Sequence, residues 1–285
     1  MRQPSPSPRT WFITGASRGL GRALAVAALE HGDRVVVAAR TATADTFDAE
    51  HRDRVLALRL DVTDKSAVDA AMAAAVAHLG RLDVVVNNAG TMSMGMVEEF
   101  TEEQARAQLE VNFFGALWVS QAAMPHLRRQ GSGHILQISS IAALGGFPST
   151  GMYSASKFAL EGMSEALATE AAPFGVKVTI VQPGGYWTDL YTNMVSTSPA
   201  EPYAPLRAEL ERQWADGSVD SDPRLAAKAM LTLVDSDTPP LRLALGNMAY
   251  DLAHDVSRQR IDTWAAWEQV SRAAEHAVPQ SEGAR

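Results

Sequence analysis

Short apolar, β-branched runs alternating with longer Ala-, Leu- and Glu-rich segments predict an α/β fold. The strand-like runs are continuously apolar, as strands covered on both faces are. The chain of 285 residues, 46% of them hydrophobic, suits one large core. With right-handed crossovers these elements give a single-domain, Rossmann-type, doubly wound parallel sheet of about seven strands with helices on both faces.

The elements follow in order. Trp11 to Thr14 is the first buried strand and Leu20 to His31 the first helix. Strands at Arg34–Ala38, Val55–Leu60 and Asp83–Val86 enclose a helix at Lys65–Leu79. A long helix over Glu102–Arg129 precedes the strand His134–Ser139. Met152–Ala172 is helical, and Lys177–Gln182 is the next strand. A seventh strand is expected near Leu241–Leu245, then a closing helix over Ala249–Ala273.

Residues 189–218 break the alternation. They hold several prolines and turn formers, yet also Tyr191, Met194, Tyr203, Leu206 and Trp214. Apolar side chains on an irregular excursion suggest a lid over an apolar cleft. Residues 1–9 and 276–285 read as tails, which leaves 10–275 as one catalytic domain.

Composition narrows the function. The net charge of −8 and the lack of a basic, aromatic-interleaved stretch argue against a nucleic-acid partner. Cysteine is absent, so disulfides and thiolate metal sites are excluded. His31, His51, His78, His126 and His134 are scattered, without metal-ligand spacing. Every apolar run is interrupted well short of the ~18 residues a membrane span needs. The first residues lack the apolar stretch of a secretory signal, and the expected location is cytoplasmic.

Several stretches carry chemistry. Thr14-Gly15-Ala16-Ser17-Arg18-Gly19-Leu20-Gly21 joins the first strand to the first helix. Glycine there lets the backbone approach a phosphate, and the free N–H groups of the helix start attract it. Gly15, Asn87, Ser140 and Pro183 each fall just past a strand's carboxyl end, the edge where ligands bind in open parallel sheets. Tyr153 and Lys157, four apart on a helix, share a face.

The spacing Gly-x3-Gly-x-Gly resembles the cofactor turn of the short-chain dehydrogenases/reductases. The resemblance continues through Asp61-Val62, Asn87-Asn88-Ala89-Gly90, Asn112, Ser140, Tyr153-x3-Lys157 and Pro183-Gly184-x3-Thr188. These motifs span roughly residues 10–190 in the family's order. The resemblance implies hydride transfer between a nicotinamide dinucleotide and a carbonyl or alcohol carbon. Tyr153 would be the acid/base, with Ser140 stabilising charge on the substrate oxygen. A phenol of pKa about 10 must be brought near 7 to act as a base, which takes roughly 4 kcal/mol. The Lys157 ammonium and a positive nicotinamide ring could supply that. The resemblance also implies that Asn112 orders a water linking Lys157 to solvent. Asp61 would contact the adenine amino group, Val62 the ring, and Asn88-Ala89-Gly90 the adenosine side; Asn88 is expected to be mainly structural. Thr188 and the Tyr186 backbone would hold the nicotinamide carboxamide. Relatives usually carry an aliphatic residue at Tyr186, so this chain departs there.

A sheet selecting NAD places an acid about 20 residues past the glycine turn for the ribose 2′-hydroxyl. Here the second strand ends Ala38-Ala39-Arg40-Thr41, with Arg18 inside the turn. Guanidinium binds a 2′-phosphate that a carboxylate would repel, so NADP is expected, with NAD as the alternative. Candidate substrate-facing residues are Met92, Ser93, Met94, Ala142, Leu144, Phe147, Met152, Trp187 and Tyr191. Mostly apolar, they suggest a lipophilic ketone or secondary alcohol. The resemblance further implies a homodimer or homotetramer through the helices carrying Asn112 and Tyr153. A rival reading is an NADP-binding redox sensor without turnover, which would not need the Ser–Tyr–Lys set. A second rival is a lyase or dehalogenase on the same scaffold, in which the glycine turn is disrupted and the lysine replaced.

Overall fold

A computed structural model describes residues 8–215 and 220–275. The described residues form nine strands: β1 (Thr10–Thr14), β2 (Arg34–Ala39), β3 (Val55–Arg59), β4 (Val84–Asn87), β5 (Ser93–Met94), β6 (Gly133–Ile138), β7 (Val176–Pro183), β8 (Val195–Ser196) and β9 (Arg242–Leu245). Their helices are α1 (Gly19–Glu30), α2 (Lys65–Leu79), α3 (Glu102–Leu109), α4 (Gly115–Gln130), α5 (Gly151–Ala171), α6 (Ala204–Ala215), α7 (Pro223–Asp235), α8 (Asn247–Ala266) and α9 (Glu268–Ala273).

Seven strands make one sheet in the order β3-β2-β1-β4-β6-β7-β9, and every pairing is parallel. The order reverses between β1 and β4, so a crevice opens there at the carboxyl edge. The expected doubly wound, seven-stranded α/β architecture is present. Alternate residues of each strand feed opposite faces. Trp11, Ile13, Val35, Val37, Val84 and Val86 pack with Leu24, Leu29, Met230 and Leu233, under α1 and α7. Phe12, Val36, Val85 and Ile135 pack the other way, onto Val68, Met72, Val119 and Leu127 of α2 and α4. Both faces are buried, which explains the continuous apolar runs.

Several elements differ from the sequence-based expectation. The helix expected over Glu102–Arg129 is two helices joined by a π turn at Glu110–Phe114. One residue more in that turn rotates the chain, and Asn112 lies within it, buried. The closing helix is interrupted at Trp267 (φ −107°, ψ 14°), which separates α8 from α9. Helix α7 was not foreseen. Arg9 was assigned to a tail, but its backbone N–H donates to Asp33 Oδ1 (2.9 Å) and its guanidinium pairs with Asp235. Residues 1–7 and 276–285 lie outside the described residues.

A buried polar triad braces the sheet's centre. Asn87 Nδ2 donates to Ser120 Oγ (3.0 Å) and Gln137 Oε1 (2.9 Å), and Gln137 Nε2 donates to Ser120 Oγ (3.1 Å). Ser120→Ala leaves both amides short of an acceptor and should cost about 1–3 kcal/mol. Calorimetry should show a melting temperature lower by several degrees; an unchanged one would mean the triad adds nothing.

Candidate active site

The glycine turn is shaped for close approach. Gly15 and Gly19 have φ of +64° and +57°, a region that L side chains rarely adopt. A Cβ at Gly21 would stand 2.3 Å from Asn88 Nδ2, and one at Gly15 2.8 Å from Ala89 Cα. Asn88 explains the tightness: its Nδ2 donates to the carbonyls of Thr14 (2.9 Å) and Gly15 (3.2 Å). The N–H groups of Asn88 and Ala89 both donate to Thr14 Oγ1 (3.0 Å each). Asn88 and Ala89 therefore buttress the turn from β4.

Helix α1 starts at Arg18 with no side-chain cap, whereas α2 is capped by Asp64, which accepts from Ala67 N–H. The first-turn N–H groups of α1 are thus left for an external acceptor. Thr188 closes the other side; a Cβ at Gly19 would meet Thr188 Cβ at 3.3 Å. The uncapped helix start, the glycine cradle and the nearby Thr188 fit a dinucleotide phosphate.

Ser140 and Tyr153 come together from adjacent elements. Ser140 follows β6 and its Oγ accepts from Ala142 N–H (3.1 Å). That bond occupies a lone pair and leaves the hydroxyl proton to donate elsewhere. The Ser140 hydroxyl stands near the Tyr153 phenol, where it favours the ionised form. Burial nonetheless pushes the phenol up to about 12, against the pull of Ser140. Depression by Lys157 and a positive nicotinamide ring together is the expectation from sequence. In the structure Lys157 Nζ lies 5.7 Å from the Tyr153 ring centroid and donates to the Ile138 carbonyl (2.8 Å). The protein's own groups therefore keep Tyr153 a neutral phenol at pH 7.

The loop into α5 is pinned. Ser149 is the one non-glycine residue with positive φ among those described (63°), and its carbonyl accepts Gly95 N–H (2.8 Å). Such a backbone costs of order 1–3 kcal/mol and persists only where its surroundings hold it.

Asn112 occupies the π turn as a clamp. Its Nδ2 donates to the Thr91 carbonyl (2.9 Å) and Ser156 Oγ (3.0 Å), and its Oδ1 accepts Thr91 N–H (2.9 Å). It thus ties the loop after β4 to α5. A Cβ at Gly90 would sit 3.4 Å from Asn112 Oδ1 and 3.8 Å from Lys157 Nζ, so Gly90 faces both.

Other expected residues are placed as follows. Asp61 is exposed and accepts from Thr63 N–H (3.0 Å) and Oγ1 (2.8 Å). Val62 is buried. Pro183 ends β7, and Gly184 N–H donates to the Leu245 carbonyl (3.1 Å). Tyr186 is buried in the apolar cluster under α7, which absorbs its aromatic ring. Ser17 and Leu20 lie half-buried in the turn. Arg18 and Arg40 are both exposed. They leave adjacent strand ends, since Thr14 pairs with Ala38 and Gly15 N–H donates to the Ala38 carbonyl (2.8 Å).

Of the proposed wall, Met92 and Ala142 are buried against Tyr153, with Met94 and Leu190 beside them. Trp187 is 78% exposed and stands apart from that cluster. The excursion from Asp189 is tethered. β8 pairs with β5, Ser93 opposite Val195. The buried Glu99 carboxylate accepts from Thr197 Oγ1 (2.7 Å) and Ala200 N–H (2.8 Å) and pairs with Arg207. These contacts hold Glu99 down at about 2, with Arg207 the main cause. Sequence reasoning missed Glu99; its only signal is an acidic residue in a helical turn. Among the described residues no cluster of His, Asp or Glu could hold a metal, and no helix is long and apolar enough to cross a membrane.

Known proteins resemble this chain in sequence and fold. A family model described as short chain dehydrogenase matches residues 9–199. An oxidoreductase of Botryotinia fuckeliana is 38% identical over 271 residues, covering 93% of this chain and 99% of that protein. A crystal structure of a short-chain dehydrogenase from Streptomyces avermitilis superposes with a TM-score of 0.88 at 40% identity, covering 95% of this chain and 100% of that one. A short chain dehydrogenase from Burkholderia cenocepacia in complex with NADP gives a TM-score of 0.72 at 28% identity, covering 91% and 97%.

Burial lowers Lys157 to about 8, against the opposing pull of Glu161. Its folded value lies below its unfolded one, so the buried ammonium penalises folding in full below pH 8. The penalty is relieved as pH rises toward the unfolded value. At 1.36 kcal/mol per pH unit it amounts to about 3 kcal/mol, partly offset by the bond to Ile138. Lys157→Met should therefore melt higher than the parent at pH 7, by a net of about 1 kcal/mol after Ile138 loses its donor. The advantage should shrink between pH 8 and 10; a pH-independent difference in melting temperature would refute this.

Proposed function

Because the chain belongs to the short-chain dehydrogenase family, we propose that it transfers a hydride between NADP(H) and the carbonyl or secondary alcohol carbon of a lipophilic small molecule. The observation that carries this is the buried Tyr153 phenol with the Ser140 hydroxyl and Lys157 near it, next to a glycine cradle at the same sheet edge.

The dinucleotide supplies the hydride and, when oxidised, a positive ring beside the phenol. The chain's own residues do the rest. Tyr153, a neutral phenol at pH 7, donates its proton to the carbonyl oxygen in reduction. Ser140 donates a hydrogen bond to the same oxygen as charge develops there. Lys157 leaves the Ile138 carbonyl to hold the nicotinamide ribose and, from there, returns the phenol's proton. Asn112 fixes the Thr91 loop and orders the water through which Lys157 exchanges protons. Gly15, Ser17, Arg18, Gly19, Leu20 and Gly21 cradle the pyrophosphate. Asp61, Val62, Asn88, Ala89 and Gly90 frame the adenosine half. Pro183, Gly184, Thr188 and the Tyr186 backbone seat the nicotinamide end.

The Met92–Ala142–Tyr153 cluster with Met94 and Leu190 supports an apolar substrate. The excursion over residues 189–218 acts as its lid, anchored by Glu99; residues 216–218 lie outside the described part. The outer faces of α4 and α5, where Phe158 is exposed, suit pairing into a homodimer or homotetramer.

Tyr153→Phe should keep the fold and lower turnover of an aryl or alkyl ketone by about 10²–10⁴-fold. Near-parental turnover in folded protein would remove Tyr153 from the reaction. Arg18 and Arg40 should set cofactor choice by binding the 2′-phosphate. Arg40→Asp should raise KM for NADPH at least tenfold, about 1.4 kcal/mol, and leave KM for NADH nearly unchanged. Equal effects on both cofactors would contradict the charge argument.

A further inference from the structure

Glu161 lies one helical turn past Lys157 on α5 and is buried, which is unusual for a carboxylate. Its oxygens converge on three elements behind the crevice. Ser139, the neighbour of Ser140, donates its hydroxyl at 2.6 Å. Gln182, the neighbour of Pro183, donates Nε2 to both oxygens at 2.9 and 3.1 Å. Arg242 of β9 approaches at 3.4 Å and also pairs with Glu165. The proposed reaction assigns no part to this carboxylate.

We propose that Glu161 is a positioning residue for the Ser140–Tyr153–Lys157 set: one buried carboxylate fixes the ends of β6 and β7 against the helix that carries Lys157. This rests on the reaction proposed above and extends it one layer deeper. The geometry accounts for it. Ser139 and Ser140 are consecutive, so a bond on the Ser139 hydroxyl sets how the next residue leaves β6. In extended backbone consecutive side chains point to opposite faces, and the carboxylate grips the side opposite the crevice. Gln182 does the same for β7, where Pro183-Gly184 turns toward the nicotinamide end. A carboxylate accepts all of these bonds at once, whereas a neutral amide must turn a donor toward one of them.

Charge adds a second effect. Facing Glu161 are Lys157 and Glu165 from α5 and Arg242 from β9, while β6 and β7 contribute the neutral Ser139 and Gln182. Glu161 holds the Lys157 ammonium in its charged form against burial. Loss of the carboxylate charge should then shift the lysine to lower pH.

The chain's four lysines, Lys65, Lys157, Lys177 and Lys228, make this measurable. In the full chain with lysine labelled by carbon-13 at Cε, Lys157 is identified by its loss in Lys157→Met. Its titration in Glu161→Gln should fall below the parental one. With NADPH and a ketone, Glu161→Gln should lose roughly tenfold in kcat, with KM for the ketone within about twofold. Ser139→Ala should lower kcat and leave the lysine titration in place, separating position from charge. It also keeps the test open if Glu161→Gln does not fold. A parental lysine titration and kcat in folded Glu161→Gln would overturn the proposal, as would a parental kcat in Ser139→Ala. If the parent turned over no carbonyl with NADPH, the proposed reaction would fall, while the lysine titration would still read the hold of Glu161 on Lys157.

Discussion

Parallel pairing of seven strands is the constraint from which the rest follows. Every strand of that sheet points the same way, so β1, β4, β6 and β7 all release their chains at one edge. The glycine turn, Asn87-Asn88, Ser139-Ser140 and Pro183-Gly184 meet there although up to about 170 residues separate them in sequence. Antiparallel pairing of any one of these strands would send its loop to the far edge and dismantle the site. The order reversal between β1 and β4 then opens the crevice that these loops line.

That edge is rich in buried and half-buried polar groups, and several are held by particular partners. Asn88 is nearly saturated by the turn it supports, and Asn112 by the Thr91 backbone and Ser156. Lys157 and Tyr153 are different. Burial moves both away from their ordinary values and favours their neutral forms. A phenol at about 12 keeps its proton at neutral pH, and a lysine near 8 is close to exchanging its own. At neutral pH the lysine alone costs stability, and that cost lies where chemistry is proposed.

The strand pattern was legible because both faces of the sheet are buried, which leaves unbroken apolar runs such as Val35-Val36-Val37-Ala38-Ala39. Site residues with motif spacing were legible too, and the structure gathers Gly15, Gly21, Asn88, Asn112, Ser140, Tyr153 and Lys157 around one crevice. Helix α7 had a signal that went unread: Asp222 caps it, Pro223 stands in its first turn, and Ala226, Met230 and Leu233 repeat on one face. The π turn at Asn112 had no comparable signal, because local periodicity cannot show that one extra residue is drawn inward by Thr91 and Ser156. Glu161 was hidden for another reason. A glutamate within a helix ordinarily faces water, and its burial depends on Ser139, Gln182 and Arg242 arriving from three distant strands.

The direct test of the central claim is to trace the hydride. The parent protein is incubated with a lipophilic ketone and NADPH carrying deuterium at nicotinamide C4 on the face transferred, and the alcohol is analysed by mass spectrometry and NMR. One deuterium on the carbinol carbon for each NADPH oxidised is the predicted result. An alcohol without that deuterium, or no oxidation of either nicotinamide dinucleotide across a panel of ketones and alcohols, would contradict it.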